Sequence, residues 1–293
     1  MMTDFPLVSV YMPTKNRRKL LERAINSIQS QSYPAIEIIV VDDGSTDDTS
    51  SFLAELQSRF DNITVLRNEQ STGACVARNR AIAIAKGEYI TGLDDDDEFL
   101  PNRIQSLMDA YKDEYAFVCS AMWWDYGKRK RLIDANEQII TLAQQLDYNE
   151  ATTQVFTKTE RLRSLGGFDE SFVACQDYDF WTRLIINFGS AYRIAEPSYV
   201  INDTGSSERM IGNPKSVKGY QQFSDKHGHL MSDCNKLNQE FMVTRRKRTR
   251  LTLLQLFRQI GTGHLKSKVR YFLSSNFSFA KSLHQKWYKK STD

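Results

Sequence analysis

Four consecutive aspartates, Asp94, Asp95, Asp96 and Asp97, directly follow the apolar stretch 89–93. Like charges this close raise one another's pKa or demand a counter-cation. A divalent ion is the simplest remedy. With hard oxygen ligands and only four histidines in the chain, that ion would be Mg2+ or Mn2+ rather than zinc, held by one or two carboxylates together with the phosphates of a substrate. The plain alternative is a solvated acidic turn, and the position at a strand end favours the ion. Two more polar clusters follow apolar runs in the same way: Pro13, Thr14, Lys15 and Asn16 after 8–12, and Asp42, Asp43, Gly44 and Ser45 after 36–41. The second fits an ordinary turn with Asx bonding equally well. Further along, Asp177 sits where a helix N-cap would, and Asp179, four residues before Arg183, reads as an ion pair on one helix face.

For these clusters to meet, the segments that precede them must lie side by side. Residues 8–12 read as a strand, and Leu20, Leu21, Ala24, Ile25 and Ile28 recur at helical spacing across 17–31. The run 36–41, bounded by Pro34 and by Asp-Asp-Gly, reads as a strand buried on both faces. Residues 45–48 offer N-cap candidates for a helix that turns Leu53, Leu56 and Phe60 inward. A strand at 63–66, an alanine-rich helix at 73–85 and a strand at 89–93 complete a β-α-β-α-β-α-β order. That order predicts an α/β fold: a doubly wound, mostly parallel sheet with helices on both faces, whose ligands lie beyond the carboxyl ends of the strands. Beyond it we expect a helix opening at Pro101, a strand at 115–124, helices at 158–165 and 177–188 separated by Gly166-Gly167, and a polar loop over 202–218.

The chain has 293 residues, 41% hydrophobic and 26% charged, enough for one large α/β domain or two modest ones. No uncharged stretch approaches the roughly 20 apolar residues of a spanning helix, and the N-terminal residues show neither the basic nor the apolar region of a secretory signal, so the expected compartment is cytoplasmic. Cys75, Cys119, Cys175 and Cys234 are far apart, which argues against a zinc site or a disulfide framework. The formal charge of +3 conceals an asymmetry. Residues 244–293 hold 13 Lys/Arg and a single acid, leaving 26 bases and 35 acids in the rest. Such a tail points to an anionic partner, a membrane surface or a nucleic acid. Its apolar residues Leu253, Leu254, Leu256, Phe257 and Ile260, then Val269, Tyr271, Phe272, Leu273, Phe277, Phe279, Trp287 and Tyr288, fall at helical spacing. They suit an amphipathic helix in a bilayer interface, or simple packing on the rest of the protein.

Six segments in order carry a resemblance: Val-Ser-Val-Tyr-Met-Pro-Thr-Lys-Asn-Arg (8–17), Glu-Ile-Ile-Val-Val-Asp-Asp-Gly-Ser-Thr-Asp (37–47), Gly-Ala-Cys-Val-Ala-Arg-Asn-Arg (73–80), Gly-Glu-Tyr-Ile-Thr-Gly-Leu-Asp-Asp-Asp-Asp (87–97), Gly-Gly-Phe-Asp-Glu (166–170) and Gln-Asp-Tyr-Asp-Phe-Trp-Thr-Arg (176–183). Over about residues 7–205 the set resembles family 2 glycosyltransferases, which have the GT-A fold and invert the anomeric centre. The resemblance implies a GT-A catalytic domain at 1–215, with a nucleotide-sugar half at 1–100 and an acceptor half at 101–215, followed by a helical basic extension at 216–293. It implies a UDP-sugar donor contacted by Pro13, Thr14, Asn16, Asp43, Arg78, Asp94 and Asp95, with Asp43 opposite the uracil N3–H. Asp96 would hold Mn2+ or Mg2+, and Asp177 would be the general base. Trp124, Gly167 and Asp203 are candidates for the acceptor site or the metal shell. Adjacent tryptophans in a strand face opposite ways, so of Trp123 and Trp124 one at most can stack on a sugar, and the other is expected in the core.

Two departures from the family pattern stand out. Gln176 occupies a position usually held by Glu, and residues 199–206 offer Asn202 and Asp203 where many relatives place a histidine. The four histidines, His227, His229, His264 and His284, all lie later, and His227 and His229 read as a surface pair. The expected function is transfer of a hexose or N-acetylhexosamine to a glycan acceptor, lipid-linked, in surface polysaccharide assembly of the O-antigen or capsule type, by an enzyme peripheral on the inner face of the cell membrane. A sugar-phosphate nucleotidyltransferase would need a glycine-rich loop where residues 13–17 have no glycine. A nucleic-acid-binding protein using Arg245, Arg246, Lys247, Arg248 and Arg250 would leave the six motifs without a purpose. No GxGxxG or GxxxxGK[ST] occurs, against dinucleotide or P-loop chemistry.

Overall fold

The computed structural model describes residues 5–152, 154–203 and 214–277. The alternating pattern at the start becomes β1 (Val8–Thr14), α1 (Arg18–Gln29), β2 (Ile36–Asp42), α2 (Thr49–Arg59), β3 (Ile63–Arg67), α3 (Ala74–Ile84) and β4 (Tyr89–Gly92). The four strands are parallel in the order β3-β2-β1-β4, so the chain reverses its direction of travel between β1 and β4. Strand periodicity divides the core between the two faces. Val8, Val10 and Met12 pack with Leu21, Ile25, Leu53 and Leu56, whereas Tyr11, Ile39 and Val41 pack with Ala77, Ala81, Phe180 and Trp181.

After β5 (Glu98–Phe99) and α4 (Arg103–Ala110) the chain forms β6 (Val118–Asp125), β7 (Lys130–Ile133), β8 (Gln138–Ile140), α5 (Leu142–Asp147), β9 (Thr157–Lys158), α6 (Thr159–Ser164), α7 (Gln176–Phe188) and β10 (Ala191–Asn202). Here the expectation of one sheet is refined. β9 adds antiparallel to β4, while β5-β10-β6-β7, with β8 on β10, makes a second, mixed sheet. Strand 115–124 thus pairs with β10 across Val118–Asp125 instead of extending the parallel sheet. The helix expected to start at Lys158 starts at Thr159, because Thr157 and Lys158 are taken up as an edge strand.

Contacts divide the chain into two units. One comprises Met1–Leu142, Ala151–Glu170 and Asp177–Gly205; the other comprises Ala143–Glu150, Ser171–Gln176 and Ser206–Asp293. The second contains α8 (Pro214–His227), a 3-10 turn (Gly228–Leu230), α9 (Asp233–Lys247), α10 (Leu253–Arg258) and α11 (Leu265–Asn276). The polar loop expected over 202–218 is therefore helical from Pro214, a residue suited to a first helical turn, with Ser216, Gly219, Tyr220 and Phe223 buried along one face. His227 is buried against the Phe223 ring, at 4.8 Å, while His229 is exposed, so the two do not form a surface pair. Asp147 accepts from Asn235 at 2.6 Å and Asn238 at 2.8 Å, and the buried Lys268 Nζ donates to Asn238 Oδ1 at 2.6 Å. Capping boxes Ser232/Asn235 and Thr252/Gln255 start α9 and α10. No helix among the described residues is long and apolar enough to cross a membrane.

Candidate active site

The carboxyl ends of β1, β2 and β4 meet. Thr14 stands opposite Asp42, the Asp43 amide donates to the Thr14 carbonyl at 2.8 Å, and the Leu93 amide donates to the Tyr11 carbonyl at 3.0 Å. Asn16, in the left-handed region at φ 53°, ties two of these ends together: its amide donates to Ser45 Oγ at 2.9 Å and its Oδ1 accepts from the Thr46 amide at 2.7 Å. Ser45 is thereby committed to this corner and does not cap α2, whose first amide, that of Thr49, donates instead to Asp47 Oδ1 at 3.0 Å. Pro13, half-buried, precedes the buried Thr14 on the same strand.

Asp43 is fully engaged. Its Oδ1 accepts from Asn68 Nδ2 (2.6 Å), the Thr72 amide (2.8 Å) and Thr72 Oγ1 (3.0 Å), and its Oδ2 from Ser71 Oγ (2.7 Å) and the Gly73 amide (2.9 Å). Burial pushes this carboxyl up, but the hydrogen bonds outweigh it and hold the pKa well below the usual carboxylate range. A base N–H opposite Asp43 would have to displace one of the two hydroxyls.

The acidic run alternates. Asp95 and Asp97 are 5% and 7% exposed, whereas the side chains of Asp94 and Asp96 are 37% and 28% exposed. Asp95, expected among the donor contacts, is turned inward and accepts from Thr14 Oγ1 at 2.7 Å and from Arg17 at 3.0 Å. Burial raises its pKa to about 6 against the opposing pull of Arg17 and Thr14. Asp97 accepts from the Tyr199 hydroxyl and the Asn202 amide, both at 3.0 Å, and burial with the charges of Asp94 and Asp96 raises it well above its ordinary value. The repulsion foreseen from four aspartates is eased within the protein, by turning alternate carboxyls inward and by arginines: Arg17 also reaches Asp96 at 3.2 Å, and Arg78 reaches Asp94 at 2.8 Å. No group of three or more His, Cys, Asp or Glu is assembled for a metal among the described residues. The outward pair Asp94 and Asp96 instead fits an ion held by one or two carboxylates plus substrate phosphates.

Arg78 projects from α3 over the Phe168 ring at 5.3 Å, only 15% exposed, so it is not a solvated surface arginine. One residue on, Asn79 holds the glycine loop: its Oδ1 accepts from the Phe168 amide at 2.7 Å, and its Nδ2 donates to the Phe168 carbonyl at 2.8 Å and to Glu170 at 3.0 Å. Gly167 has φ 73°, and a Cβ there would lie 2.3 Å from Asn79 Oδ1. Its place is in this loop geometry. Arg183 pairs with the buried Asp179 at 2.9 Å, as the i,i+4 spacing implies, and donates to the carbonyls of Leu165 and Gly167. Asp177 lies within the first turn of α7, which begins at Gln176, so it is not the N-cap. Its charge reaches Tyr11 and Cys75; burial, opposed by Arg78 and helped by Glu170 and Asp177, takes Cys75 to about 11.

Asp203 accepts from Trp124 Nε1 at 3.0 Å, and Trp124 stacks on Tyr126 with centroids 6.0 Å apart. Trp123 is half-buried and belongs to neither apolar core. Three residues around the site have no role that the sequence assigns. Asn79 sat inside a quoted motif and Arg17 ended one, but Gln154 lies in no motif at all.

A parallel sheet with its crossover between β1 and β4, and an outward Asp-x-Asp at that crossover, is the GT-A arrangement of nucleotide-sugar enzymes. The chain belongs to glycosyl transferase family 2, whose family profile matches residues 9–169, and it is a glycosyltransferase. It is 33% identical over 264 residues to the putative colanic acid biosynthesis glycosyl transferase WcaA of Escherichia coli K12, covering 86% of this chain and 92% of that one. Over 114 residues it is 44% identical to the GalNAc(5)-diNAcBac-PP-undecaprenol beta-1,3-glucosyltransferase of Campylobacter jejuni, covering 39% of this chain and 37% of that one. In fold it is similar to Staphylococcus aureus TarS 1–349, solved with UDP-GlcNAc, at TM-score 0.65 and 17% identity, covering 94% of this chain and 83% of that one.

Proposed function

We propose that this enzyme moves a hexose or N-acetylhexosamine from a UDP-sugar to a lipid-linked glycan acceptor with inversion, depends on Mn2+ or Mg2+, and works in surface polysaccharide assembly. The observation that carries the reading is the outward pair Asp94 and Asp96 at the β1/β4 crossover, with Thr14, Asn16, Asp43 and Arg78 around it. The names of the Escherichia coli and Campylobacter relatives and the UDP-GlcNAc bound by TarS agree with it.

In this reading Pro13, Thr14, Asn16 and Asp43 line the nucleotide, and Asp94 and Arg78 face the ribose or the sugar. Asp96, with the substrate phosphates, would hold the metal, which supplies Lewis-acid neutralisation of charge developing on the UDP leaving group. Asp177 accepts the proton of the attacking acceptor hydroxyl while carbon–oxygen bond formation proceeds on the face opposite UDP. Gln176, being neutral, adds no charge beside that base. Trp124 and Gly167 line the acceptor, and Asp203, already bonded to Trp124, supports that wall rather than the metal. Catalysis is assigned to 1–215, with halves 1–100 and 101–215, and membrane attachment to 216–293.

Attachment rests on a specific surface of the second unit. Leu254 and Phe257 on α10 are 71% and 60% exposed, and Leu253, Ile260, Leu265, Leu273 and Phe277 are also exposed, among Arg258, Lys266 and Arg270. Apolar side chains at an interface with cations beside them suit an anionic bilayer on the inner membrane face, each basic residue near the surface adding about 1 kcal/mol. Phe279, Trp287 and Tyr288, assigned to the same stripe from sequence, lie outside the described residues. The deciding experiment for the enzyme is a screen of UDP-sugars and GDP-sugars for slow nucleotide release to water with and without Mn2+. Release of UDP from one or two UDP-sugars, only with the cation, is expected; a GDP-sugar preference overturns the donor.

A further inference from the structure

We propose that Gln154, which lies in no family motif, is a positioning residue that aims the Asp94 carboxylate at the donor; this rests on the reading of Asp94 as a donor contact. Gln154 is 5% exposed, and both ends of its amide are used. Its Oε1 accepts from the buried Tyr11 hydroxyl at 2.7 Å, and its Nε2 donates to Asp94 Oδ1 at 3.2 Å. The orientation of the amide is dictated by its neighbours: reversed, it would set a carbonyl oxygen against a carboxylate oxygen.

The mount is rigid. The Gln154 carbonyl accepts from Arg103 at 2.8 Å, and the fully buried Arg103 also donates to Ser120 and Ser198 on the second sheet, with its guanidinium over the rings of Phe99 and Tyr199. Gly92 makes the approach possible. A Cβ at that position would come within 2.4 Å of the Tyr11 ring and 2.5 Å of Gln154 Oε1. The effect on Asp94 is asymmetric. Oδ1 takes both Arg78 and Gln154, while Oδ2 receives no hydrogen bond from the described residues. One oxygen is pinned from two directions and the other is offered as an acceptor with a fixed lone-pair direction. The partner chemistry that fits is a sugar or ribose hydroxyl. Because Gln154 is neutral it fixes Asp94 without changing the charge there; Arg78 supplies the charge.

The test uses Gln154→Leu and, at the far end of the same chain of bonds, Tyr11→Phe, which removes only the orienting hydroxyl. Affinity for UDP, UDP-glucose and UDP-N-acetylglucosamine is measured by calorimetry, with kcat and KM for the preferred donor and thermal midpoints for folding. Loss of one hydrogen bond to a charged group is expected to lower kcat/KM by about tenfold or more in Gln154→Leu. The ratio between the two UDP-sugars should narrow while UDP affinity stays within about twofold, and Tyr11→Phe should move the same ratio in the same direction by less. Unchanged kcat/KM and discrimination in both folded variants overturn the proposal, as does an equal loss for UDP and both UDP-sugars that tracks the thermal midpoint. Asp94→Asn separates the underlying reading: if it leaves donor use unchanged, Asp94 is not a donor contact; if it abolishes donor use while both other variants are normal, the positioning role alone fails.

Discussion

Asn79 satisfies both backbone groups of Phe168, a residue 89 positions away, through its one amide. Helix α3 and the glycine loop before the proposed base are thus joined through this amide, alongside the Arg78 guanidinium over the Phe168 ring. Replacing Asn79 by Ala leaves two peptide groups without partners and is expected to cost about 1–3 kcal/mol by chemical denaturation. Gly167→Ala is expected to cost more, from the close approach to Asn79 Oδ1 and from its positive φ. In the double variant only the steric part disappears, so a double-mutant cycle should show coupling that falls short of full rescue.

Asp177→Asn keeps the shape and removes the basicity. Donor affinity is expected to hold while kcat falls by at least about 10²-fold, the scale for loss of a general base. The wild-type product from an α-linked donor should be β-linked by NMR. An α-linked product, or near-normal turnover in the variant, refutes the assignment.

Asp96→Ala is expected to fold, by circular dichroism, and to lose cation-dependent turnover. EDTA should abolish wild-type activity, and added Mn2+ or Mg2+ should restore it. Full turnover in excess EDTA ends the metal reading.

Acid stability should report Asp43. Hydrogen bonds to its ionised form hold the folded pKa below the unfolded value near 3.8, so the folded state binds fewer protons there, and the stabilisation is complete above about pH 5 and lost as pH falls below about 4. Asp43→Asn should be less stable than wild type by about 2 kcal/mol at pH 7, and the gap should shrink toward pH 3. A gap that is independent of pH would falsify the role given to its charge.

For the membrane, the structure improves on truncation. A chain ending near Val243 would lose Lys268 from Asn238 and Tyr271 from the Phe241 ring, so it would damage the helical unit itself. Leu254→Ser with Phe257→Ser touches only exposed side chains. Sedimentation with vesicles containing phosphatidylglycerol is expected to fall several-fold at unchanged thermal midpoint. Equal sedimentation removes the surface from consideration, and salt-sensitive binding to DNA but not to vesicles reopens the nucleic-acid alternative.

What could be read in advance followed the reach of the physics. Strand and helix periodicities over 8–93 are local, and so were the Asp179–Arg183 pair and the placing of three polar clusters at strand ends. The alternation within Asp94–Asp97 was not, since it is set by Tyr199, Asn202, Thr14 and Arg17 from other strands and loops. Arg17 and Arg78, which pair with the acidic run, come from other elements, so their part in easing its repulsion shows only in the fold. Gln154 was invisible because its importance lies in what Gly92 and Tyr11 leave room for. His227 is buried because it continues the face of α8 that packs Tyr220 and Phe223, a face hard to see in a helix whose sequence is mostly polar.

The helical unit also sets a schedule for synthesis. Asp147, with its neighbours Ala143 and Leu146, waits for Asn235, Asn238 and Gln239, which are made 88 to 93 residues later. At about 5–20 residues per second that interval lasts roughly 5–20 s. Until then the Asp147 carboxylate lacks the two asparagine amides it accepts from in the folded unit, so the helical unit cannot close before residues 235–239 are made.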